Sequence, residues 1–478
     1  MKSPGRANGI VGAMRVPLRG AVEFAIWLMV GLIASRTWCL DGVVIPIAVD
    51  SGSMAPTLVG PHRKIVCGDC GFAFVCAWDR HAQGRRAVCP NCGYPGNDPS
   101  QGPVLPGDRV LIDRATFQFR PPRRWEVVAF RTPGREKQWS VKRVVGLPGE
   151  SVALRDGDVY INGEILRKTL DQQEAVSVLV HDADHVPGHC THAPPRWRPD
   201  AETTRWRRDG GRFIFSAGPN SHPTNPIDWL SYRHWRRVPG QPDAVLEGPV
   251  LTDPAFEFGR RVPCETIRPT HDLRLSFRWV KASGRGWLYV RAVDGELEFV
   301  LKIQAATGRV ELLCNGSPLP ISAPTGSVLD NLPARVDVSL FDRQFLAAIA
   351  GRTIAVYPYE RRGDKGPTSH HPFSLGAADA SIDVDEVRVF RDAYYEYPLG
   401  CNKEWQLEGI ASKRVGELFV LGDNAMFSSD SRTWPAGPGV ALTAVVGKPL
   451  VAVGATEGID WKGWRFRIPN LTGFRYIR

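Results

Sequence analysis

The sequence predicts a mainly β protein. Its 478 residues include 48 glycines and 39 prolines, and few of its apolar residues recur at the 3.6-residue spacing of an amphipathic helix. Instead, short runs of alternating apolar and polar residues are separated by turn-forming residues, which is typical of antiparallel strands. The chain is longer than one hydrophobic core usually supports, so we expect two or three domains.

The formal net charge of +10 limits the possible partners. Such a charge suits anionic lipid head groups and nucleic acids equally well. No nucleic-acid-binding motif accompanies it in the sequence. We therefore expect membrane lipid as a partner and no nucleic acid.

A long apolar segment near the amino terminus predicts a membrane anchor. Residues 21–38 follow a segment, residues 1–20, that contains basic but no acidic residues. With its flanks the apolar segment just reaches the roughly 20 residues that a membrane-spanning helix needs. The charge asymmetry predicts a single-pass inner-membrane protein with a cytoplasmic amino terminus and an extracytoplasmic remainder. A cleaved signal peptide is the alternative, but no clear small-x-small cleavage site follows.

Two Cys-x-x-Cys pairs lie within residues 59–106 and predict a metal site. Cys67 and Cys70 form the first pair, Cys89 and Cys92 the second, and a glycine follows each pair. Two such knuckles can direct four thiolates to one point, which is the ligand set of a structural zinc ion. Thiols outside the cytoplasm tend to oxidise, so two disulfides or a metal-free remnant are the alternatives.

Three stretches carry residue types that peptide hydrolysis requires. Residues 49–58 place Ser53 on a bend containing glycine and proline. Residues 141–150 place Lys142 among valines, and residues 422–432 form a polar loop. A serine hydroxyl needs a base to accept its proton, and lysine can serve when burial lowers its pKa by up to ~3–5 units. Taken singly, each stretch also fits an ordinary turn, strand or loop.

Taken together and in this order, the three stretches resemble the bacterial type I signal peptidases. These are membrane-bound serine–lysine proteases that remove signal peptides from exported proteins. The resemblance implies a discontinuous peptidase domain formed by residues 39–58, 107–168 and 396–455. It also implies that Ser53 is the nucleophile and Lys142 the general base, with signal peptides as substrates and no cofactor for catalysis.

The resemblance assigns further roles around this dyad. Ser428 would hold the amine of Lys142, while the hydroxyl of Ser51 and the main-chain NH of Ser53 would stabilise the oxyanion. Structural support is expected from four charged residues: Arg143, Asp423, Asp430 and Arg432. Shallow apolar pockets for small residues before the cleavage point, and hence an Ala-x-Ala preference, are expected from Val49, Met54 and Val141.

Two insertions interrupt the resemblance, namely the zinc-ribbon-like residues 59–106 and a larger region, residues 169–395. From about residue 250 to 395, short strands such as 273–279 and 287–290 predict an antiparallel β-sandwich. It loosely resembles concanavalin-like or laminin-G-type jelly rolls, although a fold does not define a ligand. A basic and aromatic tail, residues 456–478, follows the peptidase part. The alternative function is a membrane-anchored glycan- or protein-binding module on a vestigial peptidase scaffold.

Overall fold

The computed structural model describes residues 15–35, 42–78, 86–217, 226–252, 267–321, 332–361, 368–396, 403–410, 415–454, 459–461, 464–466 and 474–477. Of the predicted basic segment 1–20, the part up to residue 14 lies outside these residues. Most of the predicted tail, residues 456–478, lies outside them as well.

Strands dominate the described part of the chain, which confirms the mainly β prediction. The helices are α1 (Arg15–Ser35), α2 (Thr116–Phe119) and α3 (Leu170–Val176). The strands before the large insertion are β1 (Val44–Ala48), β2 (His62–Val66), β3 (Ala73–Ala77), β4 (Arg109–Asp113), β5 (Val127–Thr132), β6 (Arg135–Gly146), β7 (Ser151–Arg155), β8 (Asp158–Ile161) and β9 (Glu164–Ile165).

The remaining strands follow in chain order. Those of residues 169–395 are β10 (Val178–Asp182), β11 (Trp197–Pro199), β12 (Trp206–Asp209), β13 (Arg212–Phe215), β14 (Asp228–Tyr232), β15 (Trp235–Val238), β16 (Gln241–Glu247), β17 (Leu273–Asp294), β18 (Leu297–Gln304), β19 (Val310–Cys314), β20 (Ser317–Leu319), β21 (Ala334–Ser339), β22 (Gln344–Ile349), β23 (Arg352–Pro358) and β24 (Phe373–Arg391). The last are β25 (Glu404–Gln406), β26 (Glu417–Leu421), β27 (Gly439–Ala441), β28 (Val445–Val453), β29 (Ile459–Trp461), β30 (Trp464–Phe466) and β31 (Phe474–Tyr476).

An eight-stranded antiparallel sheet carries the candidate dyad. Its order is β1-β4-β28-β5-β6-β26-β27, and β31 pairs with β28. The sheet therefore combines strands from both sides of the large insertion. One face packs on an apolar cluster that includes Met54, Leu58, Val110 and Ile112. A separate four-stranded sheet, β25-β7-β8-β9, contains a hairpin of β8 and β9, whose turn is Asn162-Gly163.

A thirteen-stranded antiparallel sheet makes up most of the large insertion. Its two long strands, β17 and β24, pair from Leu273 opposite Arg391 to Ala292 opposite Phe373, with register shifts that bend both strands. Strands β10, β13 and β14 also pair with β24, so this sheet takes in residues before position 250. The alternating inward side chains form the largest apolar core of the protein.

Helix α1 occupies the segment for which a membrane anchor is predicted, residues 21–38. Of the helices that the structure describes, none is both long enough and apolar enough to cross a membrane, so the predicted transmembrane segment is not supported.

Strand β5 begins later than the sequence pattern indicates. Alternation predicts a strand from Arg124, but Trp125 has a φ of 68°, outside the extended region, and the strand starts at Val127. The buried Trp125 ring instead packs in the core beside the four-stranded sheet.

Candidate active site

Ser53 lies on a bend that follows strand β1. The bend is closed by hydrogen bonds from the Ala55 NH to the Gly52 carbonyl, 3.1 Å, and from the Leu58 NH to the Met54 carbonyl, 2.9 Å. The side chains of Met54, Ala55 and Leu58 are buried, which anchors the bend on the sheet. Ser53, on the same bend, is half-buried.

A distant loop holds the same bend from the other side. The Asn424 side chain donates a hydrogen bond to the Gly52 carbonyl, 3.0 Å, and its main-chain NH donates to the Ser53 carbonyl, 3.1 Å. Gly422 makes this contact possible, because a Cβ at this position would lie 2.4 Å from the Ser53 carbonyl oxygen. The sequence gives no sign of this contact between Asn424 and the Ser53 bend, because asparagine is common in loops for local reasons.

Lys142 reaches Ser53 from the middle of strand β6. It lies opposite Val128 in the sheet and is 4% exposed. Its Nζ atom is 2.5 Å from Ser53 Oγ, within hydrogen-bonding distance. The structure therefore brings the two predicted dyad residues together.

Burial raises the fraction of Lys142 that is neutral, and so able to accept a proton, near neutral pH. Removal of the ammonium group from water lowers the pKa of Lys142 from 10.5 to about 8. The negative charges of Asp430 and Asp423 oppose this shift, and the positive charge of Arg432 adds to it. A substantial fraction of the amine is therefore neutral in mildly alkaline solution and can accept a proton.

The two other predicted serines differ in their relation to the dyad. Ser51 is exposed, and its hydroxyl oxygen lies 3.3 Å from Ser53 Oγ. Ser428 is buried, and its hydroxyl has no hydrogen-bond partner among the described residues. It lies against Gly422, where a Cβ would be 2.1 Å from Ser428 Oγ. Ser428 is thus close to the Ser53 bend without a hydrogen bond to Lys142.

The four predicted support residues form two separate ion pairs. Arg143 donates two hydrogen bonds to Asp423, 2.8 and 2.7 Å, and Thr57 donates a third to the same carboxylate. Arg432 donates two hydrogen bonds of 2.9 Å to Asp430, whose carboxylate also accepts from the Gly422 NH. All four charged side chains are buried. The role of Thr57 was missed, since a single threonine after proline carries no distinctive sequence signal.

The three predicted substrate-pocket residues share one apolar cluster. Val49 and Val141 are partly buried and pack on the cluster that contains the buried Met54. Val49 follows β1, Met54 belongs to the Ser53 bend, and Val141 lies in β6. The structure thus brings the three residues together in one apolar cluster.

The four knuckle cysteines converge in the residue 59–106 insertion. Their sulfur atoms all lie within 4.8 Å of one another and are buried, and the thiols are free. The Cys67–Cys92 and Cys70–Cys89 sulfur distances are 3.6 and 3.8 Å. Tetrahedral zinc with bonds of about 2.3 Å separates sulfurs by about 3.8 Å, so the site fits that ion.

Both knuckles have the same backbone geometry. The NH of Gly71 donates to the Cys67 carbonyl, 2.9 Å, and the NH of Gly93 donates to the Cys89 carbonyl, 2.8 Å. Gly71 and Gly93 have φ values of 71° and 65°, which glycine adopts at little cost. The glycine after each cysteine pair therefore allows the left-handed backbone conformation that closes the turn.

Asp69, inside the first knuckle, connects this insertion to the large one. Its carboxylate accepts hydrogen bonds from the main-chain NH groups of Gly188, Cys190 and Thr191, 2.9 to 3.2 Å. Arg237 forms a buried ion pair with the same carboxylate at 2.6 Å. The buried Asp69 carboxylate of one insertion is thus hydrogen-bonded and ion-paired by groups of the other.

Sequence comparisons relate part of the chain to known peptidases. Residues 93–193 match the family described as signal peptidase, peptidase S26, a range that contains Lys142 but not Ser53. The signal peptidase I of Leptolyngbya laminosa is 36% identical over 72 residues, which are 14% of this chain and 36% of that protein. The signal peptidase I V of Bacillus subtilis (strain 168) is 30% identical over 76 residues, 16% of this chain and 44% of that protein.

These matches relate part of the chain to one class of enzyme. The matched part of the chain is similar to peptidases of the S26 family, which supports a serine endopeptidase. More narrowly, the curated relatives are signal peptidases I. The chain spans less than half the length of these relatives.

Comparison of structures finds carbohydrate-binding proteins. The carbohydrate-binding module CBM66 from Bacillus subtilis has a TM-score of 0.24 and 11% identity, covering 42% of this chain and 97% of that chain. The carbohydrate recognition domain of Emp46p has a TM-score of 0.24 and 10% identity, covering 41% and 88%. Similarities this weak say nothing about what the present chain binds.

Proposed function

We propose that the chain is a type I signal peptidase that removes signal peptides from exported preproteins. The observation that carries the proposal is the 2.5 Å contact between Ser53 Oγ and the buried amine of Lys142. Similarity to signal peptidase I over the segment that contains Lys142 supports the same reaction class. The proposal keeps the expected extracytoplasmic location, where the signal peptides of exported proteins emerge.

The first half of the reaction uses the neutral form of Lys142. Its Nζ accepts the hydroxyl proton of Ser53 while Oγ attacks the carbonyl carbon of the scissile peptide bond. The negative charge that develops on the carbonyl oxygen is stabilised by the main-chain NH of Ser53 and by the Ser51 hydroxyl. The ammonium of Lys142 then protonates the leaving amine, and an ester between Ser53 and the signal peptide remains.

The second half of the reaction reverses these proton transfers. The neutral Lys142 amine accepts a proton from a water molecule that attacks the ester carbonyl, and the ammonium returns a proton to Ser53 Oγ. Val49, Met54 and Val141 would receive small side chains of the signal peptide. The Arg143–Asp423 pair and the Asp430–Arg432 pair would keep the loop around Ser428 in place.

The four knuckle cysteines would hold one structural zinc ion. Cys67, Cys70, Cys89 and Cys92 would occupy all four positions of a tetrahedral site, so none would remain for a water molecule. Zinc would therefore stabilise the insertion and take no part in peptide hydrolysis.

Cleavage of a peptide with an Ala-x-Ala sequence before its scissile bond tests the proposal. The Ser53→Ala and Lys142→Ala variants are each expected to lose activity by about 10³-fold or more, because each removes one half of the proton-transfer pair. Matched controls are Ser283→Ala and Lys281→Ala, exposed residues of strand β17, which should retain full activity. Circular dichroism verifies that each variant is folded.

The alternative of a binding module on an inactive scaffold predicts a different result. In that case the folded wild-type protein would cleave no preprotein or peptide, or the Ser53→Ala variant would cleave as fast as the wild type. Either result would refute the proposed dyad.

A further inference from the structure

A pocket lies between the knuckle insertion and the large insertion. It has a volume of about 260 Å³, and its walls include Val88 to Pro90 on one side and Val178 to Val180 on the other. Five of its lining residues are basic in type: Arg196, His234, Arg236, Arg237 and Arg391. Among the described residues that line it, none is acidic. Basic residue types therefore outnumber acidic ones in the lining of this pocket.

The buried Arg196 of this pocket has no counter-charge among the described residues. It is 6% exposed, and its guanidinium donates to the hydroxyl of Tyr232, 3.0 Å, and to Nδ1 of His234, 2.7 Å. Both partners are uncharged acceptors. Within the described residues Arg196 has no carboxylate in ion-pair distance, and its buried Nε atom has no hydrogen-bond partner. A buried charge without a counter-charge is unfavourable, so an anion in the pocket would stabilise it.

The other arginines of the pocket have different surroundings. Arg237 forms an ion pair with Asp69, and the buried Arg391 donates to the main-chain carbonyl of Asp392, 3.1 Å. Arg236 is exposed at the rim. Arg196 is therefore a buried cationic group of the pocket, and Arg236 is a cationic group at its entrance.

The surroundings of Arg196 hold its guanidinium in one orientation. Its guanidinium carbon lies 4.5 Å from the ring centre of Trp235, which is fully buried. Burial and the charge of Arg196 hold the pKa of His234 well below its usual value, so the imidazole is neutral. Because Nδ1 of His234 accepts hydrogen bonds from Arg196 and Tyr232, its proton is on Nε2, which is a further donor on a residue of the pocket wall.

We propose that this pocket binds a compact oxyanion, a carboxylate, sulfate or phosphate group, through the guanidinium of Arg196, with Arg236 at the entrance. Planar guanidinium groups form paired hydrogen bonds with such anions, which suits both carboxylate and tetrahedral oxyanions. The site is separate from the Ser53–Lys142 dyad and does not depend on peptidase activity. Free inorganic ions and the carboxylate of an organic acid share this chemistry, so the test distinguishes them.

The test measures the melting temperature of the full-length protein with increasing sodium sulfate, sodium phosphate or sodium glucuronate, at an ionic strength held constant with sodium chloride. We expect at least one of the three anions to raise the melting temperature in a saturable way, because a ligand that binds only the folded protein stabilises it. A response to sulfate or phosphate would identify a free inorganic ion as the ligand, and a response to glucuronate alone a carboxylate. No response to any of them would overturn the proposal.

Variants assign the response to the pocket. Arg196→Gln should weaken anion binding by roughly tenfold to a hundredfold, since it removes a charged donor. Arg236→Gln tests the same pocket at an exposed position that does not support the fold, and it should weaken binding less. Arg207→Gln, an exposed arginine of strand β12, is the matched control and should bind like the wild type. Unchanged binding in both pocket variants would contradict the proposed site.

Discussion

Arg143 and Asp423 form an ion pair whose two side chains are 0% and 2% exposed. Arg143 directly follows Lys142 in strand β6. Burial affects the protonation of these two neighbouring basic residues differently. Arg143 has a carboxylate partner and stays charged, whereas Lys142 donates to the Ser53 hydroxyl and its pKa is lowered by burial. The pair thus fixes the loop of Asp423 without neutralising the candidate base.

Loss of either partner of this pair should strongly destabilise the protein. Asp423→Ala leaves the Arg143 guanidinium buried without a counter-charge, so we expect a loss of about 3–5 kcal/mol in the free energy of unfolding. Urea denaturation measures this. The double variant Arg143→Met with Asp423→Ala should lose less than the sum of the two single variants, and strict additivity would show that the pair is not coupled.

Peptidase activity should depend on the protonation of Lys142. The neutral amine is the active form, and the pKa of Lys142 is lowered to about 8. We therefore expect kcat/KM to rise with pH through about 8 and to reach a plateau above it. Measurement of initial rates on an Ala-x-Ala peptide between about pH 6 and pH 10 checks this. A rate that is constant over that range, or that falls as pH rises through 8, would exclude Lys142 as the base.

Replacement of Lys142 by methionine should stabilise the protein at neutral pH. The pKa of the lysine is near 8 in the folded protein and 10.5 when exposed. Below pH 8 the folded protein must keep a buried charge, at a cost of about 3 kcal/mol. Between pH 8 and 10.5 the unfolded chain binds more protons than the folded one, so wild-type stability rises and the cost disappears.

Denaturation of both proteins over this pH range measures the difference. Lys142→Met should be more stable below pH 8, and its advantage should vanish above about pH 10.5. An advantage that persists at high pH would mean that packing, and not the buried charge, causes it. The control Lys281→Met, at an exposed position, should show no such pH dependence.

Gly422→Ala should impair both folding and catalysis. The added Cβ would lie 2.1 Å from Ser428 Oγ and 2.4 Å from the Ser53 carbonyl oxygen, so the bend that carries Ser53 must move. We expect a destabilisation of about 1–3 kcal/mol together with a reduced kcat. Gly454→Ala is the control, because nothing lies within 4 Å of a Cβ there. Full activity and stability of Gly422→Ala would show that the two segments are not held against this glycine.

Metal content tests the four-cysteine site. The purified wild-type protein should contain about one zinc ion per chain, and Cys70→Ser should lose it because one of four thiolates is missing. Cys314→Ser, a cysteine of strand β19 in the large insertion, is the control and should retain the metal. Metal-free protein whose four knuckle cysteines react fully with an alkylating reagent would contradict the zinc site, and so would two disulfides detected by mass spectrometry.

Much of the strand pattern is predictable from alternation, but the ends and connections of strands are less so. The runs at residues 273–279 and 287–290 read as two strands, yet β17 continues through the polar residues between them. Pairing with β24 through several register shifts keeps this segment extended. Local sequence contains no information about a partner strand nearly a hundred positions away.

The proximity of Ser53 and Lys142 is predictable, because the three stretches occur together in the order that the family resemblance requires. The contacts that support the dyad are not. Asn424 binds the Gly52 carbonyl across 372 positions of sequence, and Thr57 reaches Asp423 across 366. Such hydrogen bonds depend on the folded path of the chain, and asparagine and threonine are common in loops for local reasons.

The contacts of the Asp69 carboxylate limit how the two insertions can be engineered. It belongs to the cysteine knuckle, but its partners are main-chain NH groups at residues 188–191 and the guanidinium of Arg237. A chimaera that grafts only one insertion onto another scaffold would leave either this aspartate or this arginine without its partners. The two insertions should therefore be exchanged or deleted only as a matched set.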